Sequence, residues 1–295
     1  MPDKIAVILN PRSGSANLGR IRDELVGLFT AHDLVPAFHL LKAREHAADV
    51  ARKVVTEGSG IVVAAGGDGT IGATASAVAG SESVLGVLPM GTFNHFAKDL
   101  GIPADLAGAV AVIARGRVIP VDIAEVNGRK FVNNSSLGIY PNIVTVRERE
   151  RRRGRSKWLA FVHATLQVLR RSPFLKVRVS ADPEGIVHQT PFVFVGNNEY
   201  QIQGLEIGTR ASIDRGRLFV YVAAPISRAE LVWMALTALF RRLDSERTLS
   251  VFCVEETWID TRRRHVRVST DGEVRRMTSP LHYRILPGAL RVLAP

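Results

Sequence analysis

The amino-acid sequence predicts an α/β first part with a parallel sheet, followed by a mostly antiparallel second part. Up to residue 119, short apolar segments alternate with segments of helical period, which is typical of βαβ units. From Pro120 onward, short apolar segments separated by turn residues dominate, and helical pattern survives in only two places. A chain of 295 residues can form one large domain or two ordinary ones.

The first part contains four predicted strands, each followed by a helix. The strands are short apolar runs bounded by turn residues, and the helices carry apolar residues three and four positions apart. The predicted strands are residues 4–9, 36–41, 61–65 and 84–88; the predicted helices are residues 18–32, 45–57 and 70–79, and one more after residue 93. Because parallel strands end at the same edge of a sheet, the loops that follow them should lie together.

The second part is dominated by predicted strands with turns between them, so we expect an antiparallel arrangement. The predicted strands are residues 121–126, 130–135, 175–180, 191–195, 218–223, 249–257, 265–270 and 281–285. Helical pattern occurs at residues 158–171 and 229–243.

Composition and charge narrow the class of protein. Apolar residues make up 46% of the chain and charged residues 23%, as in ordinary globular proteins. The single cysteine, Cys253, cannot form an internal disulfide, and no signal peptide or transmembrane run is evident, so we expect a cytoplasmic protein. The net charge of +11 favours anionic partners: nucleic acid, lipid headgroups or nucleotide phosphates.

The stretch IVVAAGGDGTIG at residues 61–72 runs from a strand through glycines into a helix. Glycine lets ligand oxygens approach the backbone, and a helix N-terminus offers unpaired N–H groups, so this loop predicts a phosphate site. The GxGxxG match does not indicate a dinucleotide site, because the next strand ends at Pro89 without a carboxylate. The GxxxxGK[ST] pattern of P-loop kinases is absent.

Two further polar loops follow neighbouring strands, NPRSG at residues 10–14 and GTFN at residues 91–94. Ligands of open α/β sheets bind outside the carboxyl ends of the strands. The three loops therefore predict one site; the alternative is that each is merely a tight turn.

These motifs, in this order, resemble the diacylglycerol kinase catalytic domain family, and the bacterial soluble lipid kinases in particular. The motifs are NPRSG (10–14), GGDGT (66–70), PMGTFNHFAKDLGIP (89–103), FVNNSSLG (131–138), VGN (195–197) and DGE (271–273). The resemblance implies ATP-dependent phosphorylation of a lipid hydroxyl. It also implies a Rossmann-like nucleotide-binding domain at residues 1–122, to which residues 280–295 return. A β-sandwich lipid-substrate domain would span residues 123–279, with the active site in the cleft between the two.

The resemblance implies that ATP and Mg²⁺ bind at the three loops. The matching residues are Asn10, Ser13, Gly14, Gly66, Gly67, Asp68, Gly69, Thr70, Thr92 and Asn94. Asp68 is the carboxylate of the glycine loop and cannot face a phosphate without a cation between them, so we interpret it as a partner of nucleotide-bound magnesium. The alternative is that Asp68 is the N-cap of the following helix.

On the acceptor side, Glu273 matches the proton acceptor of the family, and Asp271 lies two residues before it. One carboxylate would hold the other in place. The alternative is a simple hairpin turn at Asp271-Gly272 with Glu273 exposed.

The chain departs from the family pattern in three places. Arg215 replaces an acidic residue at the structural magnesium site of some relatives, which leaves Asp214 as the candidate ligand there. His95 stands where several relatives carry an aspartate, and Leu41 where some carry a nucleotide-contacting threonine.

A lipid kinase must dock on a bilayer, so the expected partners are the lipid substrate at the membrane surface and anionic lipid headgroups. We expect peripheral association with the inner face of the membrane, and a homodimer is left open. The candidate docking segments are the arginine-rich residues 147–155 and the apolar residues 231–240. The alternatives are a solvated helix face and a core helix, respectively.

Features of this sequence also occur in proteins with two other functions, NAD kinases and nucleic-acid-binding modules. NAD kinase shares GGDGT, but the Asn198-Glu199 pair lies far downstream and GTxNxFA is not an NAD kinase feature. A nucleic-acid-binding module would use the arginines at residues 147–155 and 262–267, but no RNP or helix-turn-helix motif supports specific nucleic-acid binding.

Overall fold

The structure is a computed structural model that describes residues 4–12, 18–139, 141, 174–182, 187–203, 206–210, 212–224 and 249–295. The predicted site residues Ser13 and Gly14 lie outside these ranges. So do the two candidate docking segments, residues 147–155 and 231–240, and both helices predicted in the second part.

The first part is a parallel sheet with helices on its faces. Its strands are β1 (Ile5–Leu9), β2 (Ala37–Leu40), β3 (Ile61–Gly66) and β4 (Val84–Pro89), and its helices are α1 (Leu18–Thr30), α2 (Ala47–Thr56), α3 (Asp68–Val78), α4 (His95–Asp99) and α5 (Leu106–Arg115). The strand order is β2-β1-β3-β4, and α1 packs with α5 while α2 packs with α3. Strands β1, β3 and β4 are almost wholly buried, which explains their continuous apolar sequence.

The second part is built from strands in its described residues. They are β5 (Arg117–Val126), β6 (Arg129–Phe131), β7 (Asn134–Gly138), β8 (Leu175–Val179), β9 (Val187–Thr190), β10 (Phe192–Asn197), β11 (Tyr200–Gln203), β12 (Glu206–Arg210), β13 (Leu218–Ala223), β14 (Leu249–Val254), β15 (Glu256–Thr261), β16 (His265–Thr270), β17 (Glu273–Thr278) and β18 (Leu281–Ala294). One antiparallel sheet has the order β14-β13-β10-β7-β16-β17. It packs on β5, β6, β8, β15 and β18 through a shared apolar core.

A single long strand, β18, connects the two parts. Its final residues pair in parallel with β4, Arg291 opposite Val84, while its first residues pair with β15. Strand β5 runs antiparallel along most of its length. The sheet of the first part therefore continues into one layer of the sandwich. The predicted fold class, an α/β part with a β-sandwich, is confirmed.

Several element predictions were wrong. The strand predicted at residues 130–135 is two strands, because the backbone N–H groups of Val132, Asn133 and Asn134 bond to a carboxylate from a distant turn. The strand predicted at residues 249–257 is also two, since β14 and β15 belong to different sheets. The alternation of apolar and polar residues continues where the chain passes from one sheet to the other, so the sequence does not show where one strand ends and the next begins. Helix α5 and strands β9, β11, β12 and β17 were not predicted.

In the part of the chain that the structure describes, the helices are all too short or too polar to traverse a bilayer.

Candidate active site

The glycine loop lies between β3 and α3 and is joined to the first loop. A Cβ atom on Gly66 would lie 2.6 Å from Thr70 Cβ, so only glycine permits this tight turn. Thr70 Oγ1 accepts a hydrogen bond from Asn10 Nδ2 at 2.7 Å. The predicted contact residues Asn10, Gly66 and Thr70 are thus brought together at the carboxyl edge of the sheet.

The third loop touches the glycine loop through its backbone. A Cβ atom on Gly91 would lie 2.7 Å from the Cα of Gly67, which leaves room for glycine alone. Gly69 is exposed, and nothing lies within 4 Å of its Cβ direction. The described residues of the three loops therefore lie in contact, with open space above Gly69.

Asp68 connects the glycine loop to α4. Its Oδ2 accepts a hydrogen bond from the backbone N–H of Asn94 at 3.0 Å, and its Oδ1 accepts one from that of His95 at 2.7 Å. The N-cap of α3 is Gly67 and Asp68 is the first residue of the helix, with its carboxylate bonded to α4, so the alternative in which Asp68 is the N-cap of its own helix is wrong. Asp68 caps the next helix instead.

The side chain of Asn94 braces its own loop. Asn94 adopts a left-handed conformation (φ 51°); its Oδ1 accepts a hydrogen bond from Gly91 N and its Nδ2 donates one to Gly91 O. Thr92 is exposed, as expected for a ligand contact. Phe93 is 62% exposed and stacks on His95, with ring centroids 5.6 Å apart.

Asp271 lies in the turn between β16 and β17 and packs against helix α3 of the first part. Its carboxylate accepts backbone hydrogen bonds from Val132 (2.8 Å), Asn133 (2.8 Å) and Asn134 (3.2 Å). Burial raises the pKa of Asp271, although these hydrogen bonds oppose the shift. A Cβ atom on Gly72 of α3 would lie 3.1 Å from Asp271 Oδ2. The turn therefore packs against the helix that begins at the glycine loop.

Glu273 begins β17, and its side chain is 46% exposed. Its carboxylate pairs with Arg129 at 2.7 Å, and Arg129 in turn donates to Thr270 Oγ1 at 2.8 Å. A second arginine, Arg275, lies 3.7 Å away. The segment is a hairpin turn with an exposed glutamate, as the alternative had it, but the partly buried Asp271, which accepts three backbone hydrogen bonds, is no ordinary turn residue.

The candidate structural metal ligand, Asp214, is exposed, and its carboxylate accepts a hydrogen bond from Ser212 Oγ. Over the described residues, the His, Cys, Asp and Glu side chains form no group of three or more suited to holding a metal ion. The neighbouring Arg215 donates its backbone N–H to Asn198 Oδ1 and pairs with Glu199.

No sequence pattern pointed to a further carboxylate, Asp122, which is buried in β5. Its oxygens accept hydrogen bonds from the backbone N–H groups of Gly216 (2.6 Å) and Gly288 (2.9 Å) and from Asn198 Nδ2 (3.0 Å). Asp122 thereby holds the loop before β13 against the bend in β18.

A buried ion pair beside the site was also missed. Arg210 Nε lies 2.8 Å from Asp99 Oδ2, and the two side chains are 0% and 4% exposed. A lone arginine in a strand pattern gives no signal of burial, since arginine is usually exposed.

Comparison with known proteins accounts for both halves of this arrangement. Residues 4–126 match the family model described as "Diacylglycerol kinase catalytic domain". Residues 141–294 match the model described as "YegS C-terminal NAD kinase beta sandwich-like domain". The chain belongs to the diacylglycerol kinase catalytic domain family. The three loops fall within the first family domain, and the Asp271 turn falls within the second.

Curated relatives of this family carry kinase names. A protein of Cronobacter sakazakii described as "Probable lipid kinase YegS-like" is 31% identical over 261 residues, which cover 84% of this chain and 83% of that protein. A protein of Staphylococcus aureus named diacylglycerol kinase is 35% identical over 141 residues, 47% of this chain and 44% of that protein. A kinase is therefore the supported class of enzyme.

The fold has a close match among solved structures. The crystal structure of a diacylglycerol kinase from Bacillus anthracis has a TM-score of 0.71 and covers 99% of this chain and 97% of its own. At 20% sequence identity, this likeness shows the shared two-domain fold.

Proposed function

We propose that the protein is an ATP-dependent lipid kinase that transfers the γ-phosphate to a hydroxyl of diacylglycerol or a related lipid. One observation carries the proposal: helix α3, which starts at the glycine loop, touches the turn that holds Asp271 and Glu273. A phosphate-binding loop and a carboxylate turn thus meet at the junction of the two parts. Phosphoryl transfer needs the donor phosphates and the acceptor hydroxyl held in this kind of proximity.

On the donor side, the residues fit a nucleotide with its metal ion. The close backbone approach of Gly67 and Gly91 and the open space at Gly69 suit a triphosphate. Each oxygen of Asp68 accepts one N–H bond and keeps further lone pairs, so we assign Asp68 to magnesium on the nucleotide. Magnesium on ATP would neutralise part of the phosphate charge, and Thr70 and Asn10 would contact the phosphates.

On the acceptor side, we assign proton removal from the lipid hydroxyl to Glu273. Arg129 orients its carboxylate, and the exposure of the side chain leaves it accessible to a substrate. Asp271 fixes the turn on which Glu273 stands, through three backbone hydrogen bonds. A positioned carboxylate of this kind contributes about 10²–10⁴-fold in rate.

The NAD kinase alternative finds little support in the site. Asn198, which would be the ribose contact, is fully buried, and its amide bonds to Asp122 and to the backbone N–H of Arg215. Its partner Glu199 pairs with Arg215. Because their side chains are already engaged in these contacts, Asn198 and Glu199 are poorly placed to bind a ribose.

Transfer of labelled γ-phosphate from ATP tests the proposal directly. The purified protein is offered diacylglycerol, phosphatidylglycerol, a long-chain amino alcohol, glycerol and NAD in parallel, with magnesium. Label in a lipid product supports a lipid kinase, and the preferred lipid identifies the substrate. Label in NAD alone would establish the alternative, and label in no lipid would contradict the proposal.

We also propose that the enzyme works at the inner face of the membrane and docks through anionic headgroups. Among the described residues, the supporting surface is formed by the exposed arginines of the β15–β16 turn and the β16–β17 hairpin, apart from Arg275, which lies near Glu273. We call it the arginine hairpin: Arg262, Arg263, Arg264, Arg267 and Arg276.

Two of these arginines, Arg267 and Arg276, lie directly opposite each other across the strand pair. This register places two positively charged side chains next to each other on the hairpin. The same hairpin carries Glu273, which lies three residues or roughly 10 Å along the strand from Arg276, and this odd separation places the two side chains on opposite faces of β17.

A further inference from the structure

Arg210, the last residue of β12, ties the sandwich to the third nucleotide loop. Its Nε bonds to Asp99 Oδ2 at 2.8 Å, and its backbone N–H bonds to Asp99 Oδ1 at 3.3 Å. Asp99 ends α4, and the other end of α4 is held by Asp68 of the glycine loop. The short helix α4 is thus fixed at one end to the glycine loop and at the other to Arg210.

The far end of the guanidinium reaches the segment that holds Asp271. Nη1 donates to the carbonyl oxygens of Val132 (2.8 Å) and Asn197 (3.3 Å), and Nη2 donates to Asn133 Oδ1 at 3.4 Å. The backbone N–H groups of Val132 and Asn133 point the other way and bond to Asp271. Arg210 and Asp271 therefore bind the same two residues, Arg210 through their oxygen atoms and Asp271 through their backbone N–H groups.

Stability alone is a weak reason for this arrangement. Removing an arginine and a carboxylate from water costs several kcal/mol each, and apolar replacements for a buried ion pair are often as stable or more so. The guanidinium is also enclosed by the rings of Phe96 and Tyr200, with its Cζ 5.7 and 5.9 Å from their centroids. A planar guanidinium whose three nitrogens all donate hydrogen bonds, to α4, to residues 132–133 and to Asn197, fixes geometry.

We infer that Arg210 is a positioning residue that sets the spacing between the nucleotide loops and the Asp271–Glu273 turn. The inference rests on the proposed kinase function. Arg210 touches neither predicted substrate; it acts through Asp99 and α4 on one side and through Val132 and Asn133 on the other. A displacement of about 1 Å between reacting groups can cost on the order of 10²-fold in rate.

The decisive variant replaces both charges, Asp99→Leu with Arg210→Met. An apolar pair leaves no buried charge unpaired, but Asn197 O and Asn133 Oδ1 lose a donor, so we expect a melting temperature moderately below that of the parent. We expect kcat to fall by roughly 10²-fold, with the Michaelis constant for ATP changed less than about threefold. Arg284→Gln is the matched control, since Arg284 also pairs with a largely buried carboxylate, Glu125, away from the site.

A stable double variant with kcat within twofold of the parent would overturn the inference. If the double variant does not fold, Asp99→Asn and Arg210→Lys replace it, because each keeps part of the contact. In each of these two variants we expect a clear fall in kcat and only a small fall in melting temperature. A kcat equal to that of the parent in both variants would likewise overturn the inference.

Hydrogen exchange provides a readout that does not depend on kinase activity. In the parent, the amides of Val132, Asn133 and Asn134 should be protected by Asp271. In the double variant they should exchange at least tenfold faster, while the amides of β1 and β3 stay unchanged. Unchanged protection would overturn the role of Arg210. This result stands even if the parent proves to phosphorylate no lipid, in which case only the proposed function fails.

Discussion

At the scale of single residues, the candidate site is organised by carboxylates that accept backbone N–H groups. Asp68 holds the start of α4, Asp271 holds the break between β6 and β7, and Asp122 holds the loop before β13. Each joins segments that are far apart in sequence. A carboxylate suits this task because it accepts several hydrogen bonds, and those to a charged group are stronger than neutral ones. The proposed chemistry is thus carried by residues with a structural role as well.

We predict that Asp68→Ala abolishes ATP turnover and leaves the fold intact. The variant loses both the proposed magnesium partner and the cap of α4, and the cap alone is worth about 1 kcal/mol. Turnover and thermal unfolding are measured together. Asp105→Ala is the matched control, because Asp105 caps α5 through Gly108 N at 2.7 Å, away from the loops. If both variants turn over ATP equally well, Asp68 is only a cap.

We predict that Glu273→Gln lowers kcat by about 10²–10⁴-fold with little change in the Michaelis constant for ATP. The amide keeps the shape of the side chain and removes the proton acceptor. Glu255→Gln, which alters an exposed glutamate paired with Arg217, should have no effect.

Asp271→Asn should also be impaired, and the double variant should lose little more than Glu273→Gln, because the two residues act as a unit. Lipid turnover by Glu273→Gln within twofold of the parent, where chemistry limits the rate, would show that Glu273 is not the base.

At the scale of elements, helix α3 matters most, because its N-terminus carries the glycine loop and its next turn packs on Asp271. Gly72 makes this contact possible: it is buried in α3, and any larger residue would press on the carboxylate. The absence of a side chain at Gly72 therefore sets the distance in space between α3, which begins at the GGDGT loop, and the DGE turn. The remainder of α3 is rich in alanine, which favours helix formation.

We predict that Gly72→Ala lowers kcat at least tenfold without lowering stability by much. Alanine improves helix propensity by up to about 1 kcal/mol, but its Cβ would lie 3.1 Å from Asp271 Oδ2 and must displace the turn. The control is Gly27→Ala in α1, where nothing lies within 4 Å, so the variant should gain stability and keep its activity. Equal kinetics for the two variants would contradict the proposed contact.

At the scale of the whole molecule, the excess of positive charge should govern docking. Each arginine near an anionic surface contributes about 1 kcal/mol, and salt screens this attraction over roughly 10 Å at 0.1 M. Two arginine clusters are candidates for contact with the membrane. One is residues 147–155, which lie outside the described residues, and the other is the arginine hairpin. The hairpin arginines are exposed, so they can be replaced without disturbing the core. The contribution of each cluster to vesicle binding can therefore be measured separately.

We predict that replacing Arg262, Arg263 and Arg264 with Gln weakens binding to vesicles that contain phosphatidylglycerol, and that replacing Arg151, Arg152 and Arg153 with Gln does so as well. Both variants should bind ATP normally. A control with Arg44, Arg115 and Arg117 replaced removes the same charge from exposed sites outside both clusters.

Binding is measured by co-sedimentation across a salt series, with neutral phosphatidylcholine vesicles and random DNA as alternatives. Parental affinity for anionic vesicles at low salt would show that the altered cluster is only a solvated face. Equal affinity for DNA and vesicles would show attraction to polyanions in general.

Sequence alone predicts the repeated strand–loop–helix units, the placement of three loops at one sheet edge, and the family. Each rests on contiguous residues, since apolar period, glycine turns and short motifs are local properties. Tertiary structure decided what joins distant segments: the sheet to which each strand belongs, the three neighbours of β18, and the burial of Arg210. Asp271 bonds to residues 137 to 139 positions away, which no local pattern encodes. A charged residue is read as exposed until its partners are known, because only those partners offset the cost of burying it.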